Sequence, residues 1–289
     1  MDKLLKRFIS RLTQYFPSPL LWIVPGVILF YGCSSDADLN RPDPSKELTI
    51  NDTSYGTDSL NTMDIFLPKN RTSQTSVIVF LHGGGWTGGS KEEFTTLASE
   101  FAGKGYASIT MNYRYADVQQ QISYVDLLAD IDQALAFLKT KSAEYTFNSN
   151  RITLFGHSAG AHLALLYAYR NNERHQVRSV VSLAGPTDLP GLLDADAFPS
   201  LLYNLVGSEE LEKYEDASPI DHVTTGAVPT YCFHGKADTS VPYQQSEKLY
   251  EALKNKNSAA RIKLFDDTGH EFSVESYNVI VTETLGFIE

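Results

Sequence analysis

Cysteine is scarce in this sequence, whose 289 residues include only Cys33 and Cys232. Two cysteines cannot form a disulfide framework, and neither has the neighbours that the ligand spacing of a zinc site requires. Cys232 lies in an apolar stretch, where a thiol serves as a small buried hydrophobic group rather than a redox group. The scarcity excludes a disulfide-stapled scaffold, and we expect no metal site.

Basic residues are also in short supply. The sequence has 24 Lys and Arg against 35 Asp and Glu, a formal net charge of −11. A chain with this excess of negative charge repels a phosphate backbone. We therefore expect no nucleic-acid partner.

The first 32 residues differ in composition from the rest of the chain. Basic residues precede an apolar run over residues 20–31, and Gly32-Cys33 follows. This is the layout of a secretory signal, and the run is shorter than the roughly 20 residues that span a bilayer. It resembles a bacterial lipoprotein signal, which implies cleavage before Cys33 and a lipid on that cysteine. We expect residues 1–32 to be this signal and the protein to be lipid-anchored in the outer membrane, on the periplasmic face or the cell surface.

The sequence of the rest of the chain predicts a tether followed by one α/β domain. Residues 33–46 are rich in Asp, Pro and Ser, which predicts a flexible tether. Strands and helices then alternate over residues 47–289, which predicts an α/β fold with a mostly parallel sheet covered by helices on both faces. Ser90 to Glu93 has the pattern of a capping box that begins a helix. Residues 186–223 form an irregular, partly apolar insertion that is either a small cap or packing on the sheet edge.

One stretch carries the strongest chemical signal. A β-branched and apolar run over residues 152–155 meets Gly156-His157-Ser158-Ala159-Gly160, and a helix-favouring segment follows. A pentapeptide of this type at a strand-to-helix turn places its serine hydroxyl, exposed, at the carboxyl end of a sheet. The glycines are needed because a Cβ would clash where strand and helix approach. We predict that Ser158 is a nucleophile.

A second loop follows another buried strand and has the sequence His82-Gly83-Gly84-Gly85-Trp86. Bare backbone amides in such a loop can point at an anion. Phosphate binding is disfavoured because neither a P-loop Lys-Ser/Thr nor a G-x-G-x-x-G frame follows. We predict that the amides of Gly84 and Gly85, with that of Ala159, stabilise the oxyanion formed when Ser158 attacks a carbonyl.

A serine nucleophile needs a base and an acid that orients the base. His270 is the histidine that follows the last predicted strand in a loop, and Asp238 follows the strand before it. The order Ser158, Asp238, His270 is that of α/β-hydrolases. Asp266 and Asp267 are nearer to His270 in sequence, and we expect them to cap a turn instead.

The remaining histidines receive other interpretations. His157 is the variable position of the serine turn, and His162 lies on the helix that follows. We expect His234 to hydrogen-bond locally at the end of its strand, and His175 and His222 to lie at the surface.

Six segments occur in the order seen in α/β-hydrolases of the hormone-sensitive lipase and bacterial feruloyl-esterase-like group. They are residues 82–86, 112–114, 156–160, 217–219, 234–242 and 269–270. The resemblance covers about residues 47–289. It implies a serine carboxylesterase with Ser158 as nucleophile, His270 as base and Asp238 as orienting acid, and no cofactor. The implied substrates are short-chain esters or acylated carbohydrates, with Trp86 lining the acyl or alcohol pocket.

Two other functions fit the same pattern. The glycine loop that ends in Trp86 also resembles that of arylformamidases, which cleave an amide bond. A non-catalytic binding protein on the same fold is the second alternative, which the intact Ser158, Asp238 and His270 disfavour.

Overall fold

The computed structural model describes residues 41–172, 176–194 and 198–289. The predicted signal, Cys33, the first part of the tether and His175 lie outside the described residues. The described part contains an eight-stranded sheet in the order β1-β2-β4-β3-β5-β6-β7-β8. The strands are β1 (Leu48–Ser54), β2 (Thr62–Leu67), β3 (Val77–Leu81), β4 (Ala107–Met111), β5 (Ile152–His157), β6 (Val177–Leu183), β7 (Thr230–Gly235) and β8 (Ala260–Phe265).

The sheet is antiparallel only at one edge. β1 pairs antiparallel with β2, and β2 with β4, whereas the five pairings from β4 to β8 are parallel. Every residue of β3, β4 and β5 is buried. A strand that is covered on both faces has a continuous apolar run rather than alternating apolar and polar residues. These strands could therefore be predicted from the sequence. The predicted α/β-hydrolase architecture is confirmed.

Seven α-helices flank the sheet in the described residues. They are α1 (Thr95–Gly103), α2 (Tyr124–Tyr145), α3 (Ala159–Leu166), α4 (Phe198–Val206), α5 (Leu211–Asp216), α6 (Gln244–Asn255) and α7 (Val274–Ile288). α1 and α7 contribute to one apolar core with Phe80 and Phe155, while α2, α3, α4 and α6 contribute to a second, larger core. The two cores lie on opposite faces of the sheet, because side chains alternate along each strand.

The helix predicted from Ser90 begins later than expected. A 3-10 turn, Lys91–Phe94, comes first, and the Ser90 side chain makes no capping hydrogen bond. The capping-box prediction is wrong because the Glu93 carboxylate accepts a hydrogen bond from Gly83 N at 2.7 Å instead. A capping box does form at Ser123, at the start of α2.

The predicted tether extends too far along the chain. The buried Arg71 guanidinium donates to Pro42 O at 3.0 Å and to Lys46 O at 2.7 Å. The Arg71 amide also donates to Pro44 O, at 3.1 Å. Residues 42–46 are therefore bound to the domain rather than free of it, and residues 41–289 form one compact unit.

Helix α4 of the insertion over residues 186–223 contributes both to the larger core and to a cavity wall, while its role as a cap stays a prediction. Leu202 and Leu205 of α4 are fully buried in the larger core. Phe198 and Leu201 of the same helix line a cavity at Ser158. None of the described helices has the length and apolar character required to cross a membrane.

Candidate active site

Ser158 lies at the turn between β5 and α3, at the carboxyl edge of the parallel strands. Its backbone has φ 51° and ψ −119°, a region that residues with a side chain rarely adopt. The Ser158 amide donates to Leu183 O at 2.8 Å, which ties the turn to β6. A strained backbone of this kind costs about 1–3 kcal/mol and persists only when its surroundings hold it.

The two glycines of the turn are sterically required. A Cβ on Gly156 would overlap the backbone of Gly160, and a Cβ on Gly160 would overlap Leu81 O. The start of α3 therefore lies directly against the ends of β3 and β5. This close approach brings the Ser158 hydroxyl beside the loop that follows β3.

The structure brings the three predicted catalytic residues together. Ser158 Oγ lies 2.8 Å from His270 Nε2, and His270 Nδ1 lies 2.7 Å from Asp238 Oδ2. Asp238 follows β7 and His270 follows β8, so neighbouring parallel strands deliver them to the same edge. The arrangement is that of a serine hydroxyl, a base and a base-orienting carboxylate.

Asp238 is buried and fully hydrogen-bonded. Its Oδ1 accepts from the amides of Ser240 at 2.8 Å and Val241 at 2.9 Å. Burial acts to raise the pKa of Asp238, but hydrogen bonds from His234 and His270 outweigh it and hold the pKa well below its usual range. The carboxylate is therefore ionised and can accept only, which requires His270 Nδ1 to carry a proton.

His234 hydrogen-bonds locally, as predicted, but it also contacts Asp238. Its Nε2 lies 2.9 Å from Val241 O and 3.2 Å from Asp238 Oδ2. Since both partners are acceptors, Nε2 donates, and Nδ1 accepts from Ser246 Oγ at 2.7 Å. His234 thus contacts the same carboxylate oxygen of Asp238, Oδ2, as His270 does. Its position four residues before Asp238, at a strand end, was the available sequence signal.

The predicted oxyanion loop lies against Ser158. Gly84, Gly85 and Trp86 have φ values of 109°, 58° and 62°, so the chain turns through the left-handed region. Gly83, Gly84 and Gly85 line one cavity together with Ser158. Buried Tyr113 Oη donates to His82 O at 2.7 Å and fixes the start of the loop. Ala159, the remaining predicted donor, is the first residue of α3.

Glu93 and His157 form a contact that the sequence did not reveal. Glu93 Oε1 lies 2.9 Å from His157 Nδ1, and His157 Nε2 lies 3.1 Å from His270 O. Both partners of His157 are acceptors, so both ring nitrogens donate and the ring is an imidazolium. Burial acts to lower the pKa of His157, but the Glu93 carboxylate outweighs it and raises the pKa. With Gly83 N bound to Glu93, this network connects the oxyanion loop, the serine turn and the His270 loop.

Trp86 is buried, with 1% of its side chain exposed, and lines the cavity at Ser158. Its Nε1 donates to His162 Nδ1 at 3.1 Å, and His162 Nε2 donates to Ala217 O at 2.8 Å. Burial lowers the pKa of His162 to about 4, so the imidazole is neutral. Trp86 therefore links the oxyanion loop to α3 as well as forming part of a cavity wall.

Two cavities meet at the Ser158–His270 pair. The apolar cavity has a volume of about 410 Å³ and is lined by Trp86, Pro186, Phe198, Leu201 and Val241, among others. The acidic cavity has a volume of about 430 Å³ and contains Glu93 and Glu271. Gly85, Ser158 and His270 line both. Across residues 41–172, 176–194 and 198–289, no group of three or more His, Cys, Asp or Glu side chains could hold a metal ion.

The sheet order and the geometry at its carboxyl edge define an α/β-hydrolase. The BD-FAE family profile matches residues 63–253, more than half of the sequence. The chain therefore belongs to the BD-FAE family.

Individual relatives agree with this assignment. A probable carboxylic ester hydrolase, LipM, of Mycobacterium tuberculosis is 30% identical over 70% of this chain and 51% of its own. A probable isoprenylcysteine alpha-carbonyl methylesterase, ICMEL1, of Oryza sativa subsp. japonica is 27% identical over 75% of this chain and 55% of its own. The chain thus spans about half the length of these relatives. A solved truncated carbohydrate esterase from gut microbiota has a TM-score of 0.73 at 19% identity, covering 86% of this chain and 99% of that one, and supports the fold.

Proposed function

We propose that the protein is a serine carboxylic ester hydrolase. The observation that carries the proposal is the continuous hydrogen-bonded line from Ser158 Oγ through His270 to the ionised Asp238. The line ends beside a glycine loop and a helix N-terminus, where backbone amides can receive a developing negative charge. The family assignment and the ester hydrolases among the relatives support the same activity.

The geometry implies an acyl-enzyme route. Ser158 Oγ attacks the ester carbonyl carbon while His270 Nε2 takes the hydroxyl proton. The carbonyl oxygen becomes an oxyanion, which the amides of Gly84, Gly85 and Ala159 stabilise. Loss of one such donor costs about 2.7–4 kcal/mol of barrier in other serine hydrolases.

Collapse of this intermediate releases the alcohol, and His270 returns the proton to the departing oxygen. A water molecule then attacks the acyl-enzyme carbonyl, with His270 taking its proton. Asp238 keeps the proton on Nδ1 throughout and stabilises the transient imidazolium. None of these steps requires a cofactor.

We propose that a short acyl chain occupies the apolar cavity. Its walls include Phe198 and Leu201 of α4, and a Cβ on Gly85 would touch Leu201. This cavity of about 410 Å³ is lined by Ser158 and His270, which places an acyl chain within it beside the reacting atoms. We propose acylated carbohydrates as the natural substrates, which the likeness to a carbohydrate esterase supports.

The test is hydrolysis of 4-nitrophenyl acetate, butyrate and octanoate by the full chain in detergent, beside Ser158→Ala. We expect the wild type to cleave the acetate and butyrate faster than the octanoate, and the variant to show only background. Equal rates in both proteins would contradict the proposal. Activity on an N-formyl arylamine without activity on any ester would favour the arylformamidase alternative.

We also propose that Cys33 carries a lipid and anchors the protein in the outer membrane. The basic residues, the apolar run over residues 20–31 and the Gly32-Cys33 junction support this location. Residues 1–40 lie outside the described part of the chain.

A further inference from the structure

The acidic cavity borders the catalytic pair on the side of the His270 loop. Its lining residues are the three loop glycines, Ser158, His270, His157, Glu93 and Glu271. Among the described residues, no lysine or arginine lines it. A group bound here therefore meets carboxylates and no basic side chain other than the two histidines.

The two carboxylates of this cavity differ in their pairing. Glu93 accepts from the His157 imidazolium and from Gly83 N, so its charge is balanced. Glu271 is exposed, and no hydrogen bond or ion pair of its side chain occurs within the described residues. Its charge nevertheless reaches the cavity, because it contributes, after burial and Glu93, to the pKa of His157. Glu271 thus leaves one uncompensated negative charge beside the reacting atoms.

The proposed site of the acyl group decides which half of an ester meets this charge, because Ser158 and His270 line both cavities. The leaving oxygen must lie against His270 Nε2, since that nitrogen returns the proton. Glu271 directly follows His270 in the chain. With the acyl group in the apolar cavity, as proposed above, the alcohol half of the ester extends into the acidic cavity, since the two cavities share Ser158 and His270.

We propose that Glu271 selects esters by the charge of their alcohol, an inference that rests on the proposed esterase function. Neutral polyols and cationic alcohols are accepted, because the carboxylate can take a hydroxyl hydrogen bond or attract a cation. Alcohols bearing a sulfonate, phosphate or carboxylate near the ester are disfavoured by repulsion. The substrate class is therefore an acylated neutral or amino-bearing alcohol.

The experiment uses three aryl acetates that differ in one meta substituent: trimethylammonium, tert-butyl and sulfonate. Values of kcat/KM are measured at low ionic strength, and each is divided by the rate constant of that ester in alkali, which removes its intrinsic reactivity. The full chain in detergent is compared with Glu271→Gln and Glu271→Lys. Glu251→Gln is the matched control, because Glu251 is an exposed carboxylate on α6 that does not line the cavity.

We expect the wild type to prefer the cationic over the anionic ester by about tenfold, as one nearby partly screened charge predicts. Glu271→Gln should reduce this ratio about fivefold, and Glu271→Lys should invert it. Glu251→Gln should keep the ratio. An unchanged ratio in both Glu271 variants would overturn the proposal, as would an equal loss on all three esters. A different result would contradict the proposed esterase function itself. That result is hydrolysis of the neutral ester by Ser158→Ala at the wild-type rate.

Discussion

The imidazole of His270 has a partner at each ring nitrogen, and the two partners decide its tautomer. Ionised Asp238 can only accept, so Nδ1 carries the proton and Nε2 presents its lone pair to the Ser158 hydroxyl. The state required for attack is therefore already present in the resting protein. Its maintenance depends on the charge of one carboxylate.

Asp238→Asn tests that dependence. The amide nitrogen of asparagine can donate to Nδ1 and stabilise the opposite tautomer, which leaves Nε2 protonated and unable to accept from Ser158. We expect kcat for 4-nitrophenyl acetate to fall about 10³- to 10⁴-fold, as for the equivalent change in other serine hydrolases. The fold should be retained, as circular dichroism can check.

Asp267→Asn is the matched control for this variant. Asp267 lies three residues before His270 and is exposed, and the two ring nitrogens of His270 bind Asp238 and Ser158 instead. Its kcat should stay within about twofold of wild type, as expected for an exposed charge. A large loss in Asp267→Asn with little loss in Asp238→Asn would reverse the assignment of the orienting acid.

At the scale of elements, three loops at the carboxyl ends of β3, β5 and β8 are fastened to one another. Glu93 binds both Gly83 N and the His157 ring, and the ring binds His270 O. The His157 imidazolium is therefore a structural connection between the oxyanion loop and the base. Its charge depends on pH, because its pKa is raised above the ordinary histidine value.

The sign of this dependence is fixed by the raised pKa. The Glu93–His157 interaction stabilises the fold fully below the unfolded histidine pKa of about 6.5 and is lost as pH rises through the folded value. Compared with Glu93→Gln, the wild type should have a free energy of unfolding about 1–3 kcal/mol higher at pH 6, the range for charged hydrogen bonds. The difference should shrink towards pH 9. Urea unfolding at both pH values measures it.

Glu92→Gln provides the control for the pH experiment. Glu92 pairs with Lys91, and its pKa is lowered to about 2 by hydrogen bonds from Ser90 and Lys91, so it stays ionised from pH 6 to 9. Its stability difference from wild type should be the same at both pH values. A Glu93→Gln difference that is also constant would show that His157 does not titrate in this range.

Ser158, Asp238 and His270 could be predicted from the sequence because each follows a strand of a parallel sheet. The order of nucleophile, acid and base along the chain then leaves few candidate residues for each of the three roles. Glu93 could not be predicted, since it lies 64 residues from His157 and its local pattern matches a capping box. Its role is set by a contact between two loops, which no local pattern encodes. The boundary of the tether was predicted wrongly for the same reason, because Arg71 donates a hydrogen bond to Pro42 O, 29 residues away in sequence.

At the scale of the whole molecule, the chain places its candidate active site at one edge of the sheet. The oxyanion loop, Ser158, Asp238 and His270 follow β3, β5, β7 and β8, which are joined only by parallel pairings through β6. The proposed lipid on Cys33 would hold this acidic protein, with its formal net charge of −11, at a membrane.

The anchor is tested with Cys33→Ala in a Gram-negative host. Mass spectrometry of the N-terminal peptide should detect a diacylglyceryl group on Cys33 in the wild type and none in the variant, since no other residue at the junction offers a thiol. Cys232→Ala is the control, because Cys232 is buried in β7 and should not affect lipidation. An unmodified Cys33 in membrane-bound wild type would contradict the anchor.

The central claim is that Ser158 is the nucleophile, and trapping it tests this most directly. The full chain is incubated with diethyl 4-nitrophenyl phosphate, digested and sequenced by mass spectrometry. We predict one diethylphosphoryl group per chain on the peptide containing Ser158, with loss of esterase activity in proportion to labelling and no labelling of His270→Ala. Label at another residue, or complete labelling of Ser158 with activity retained, would contradict the account.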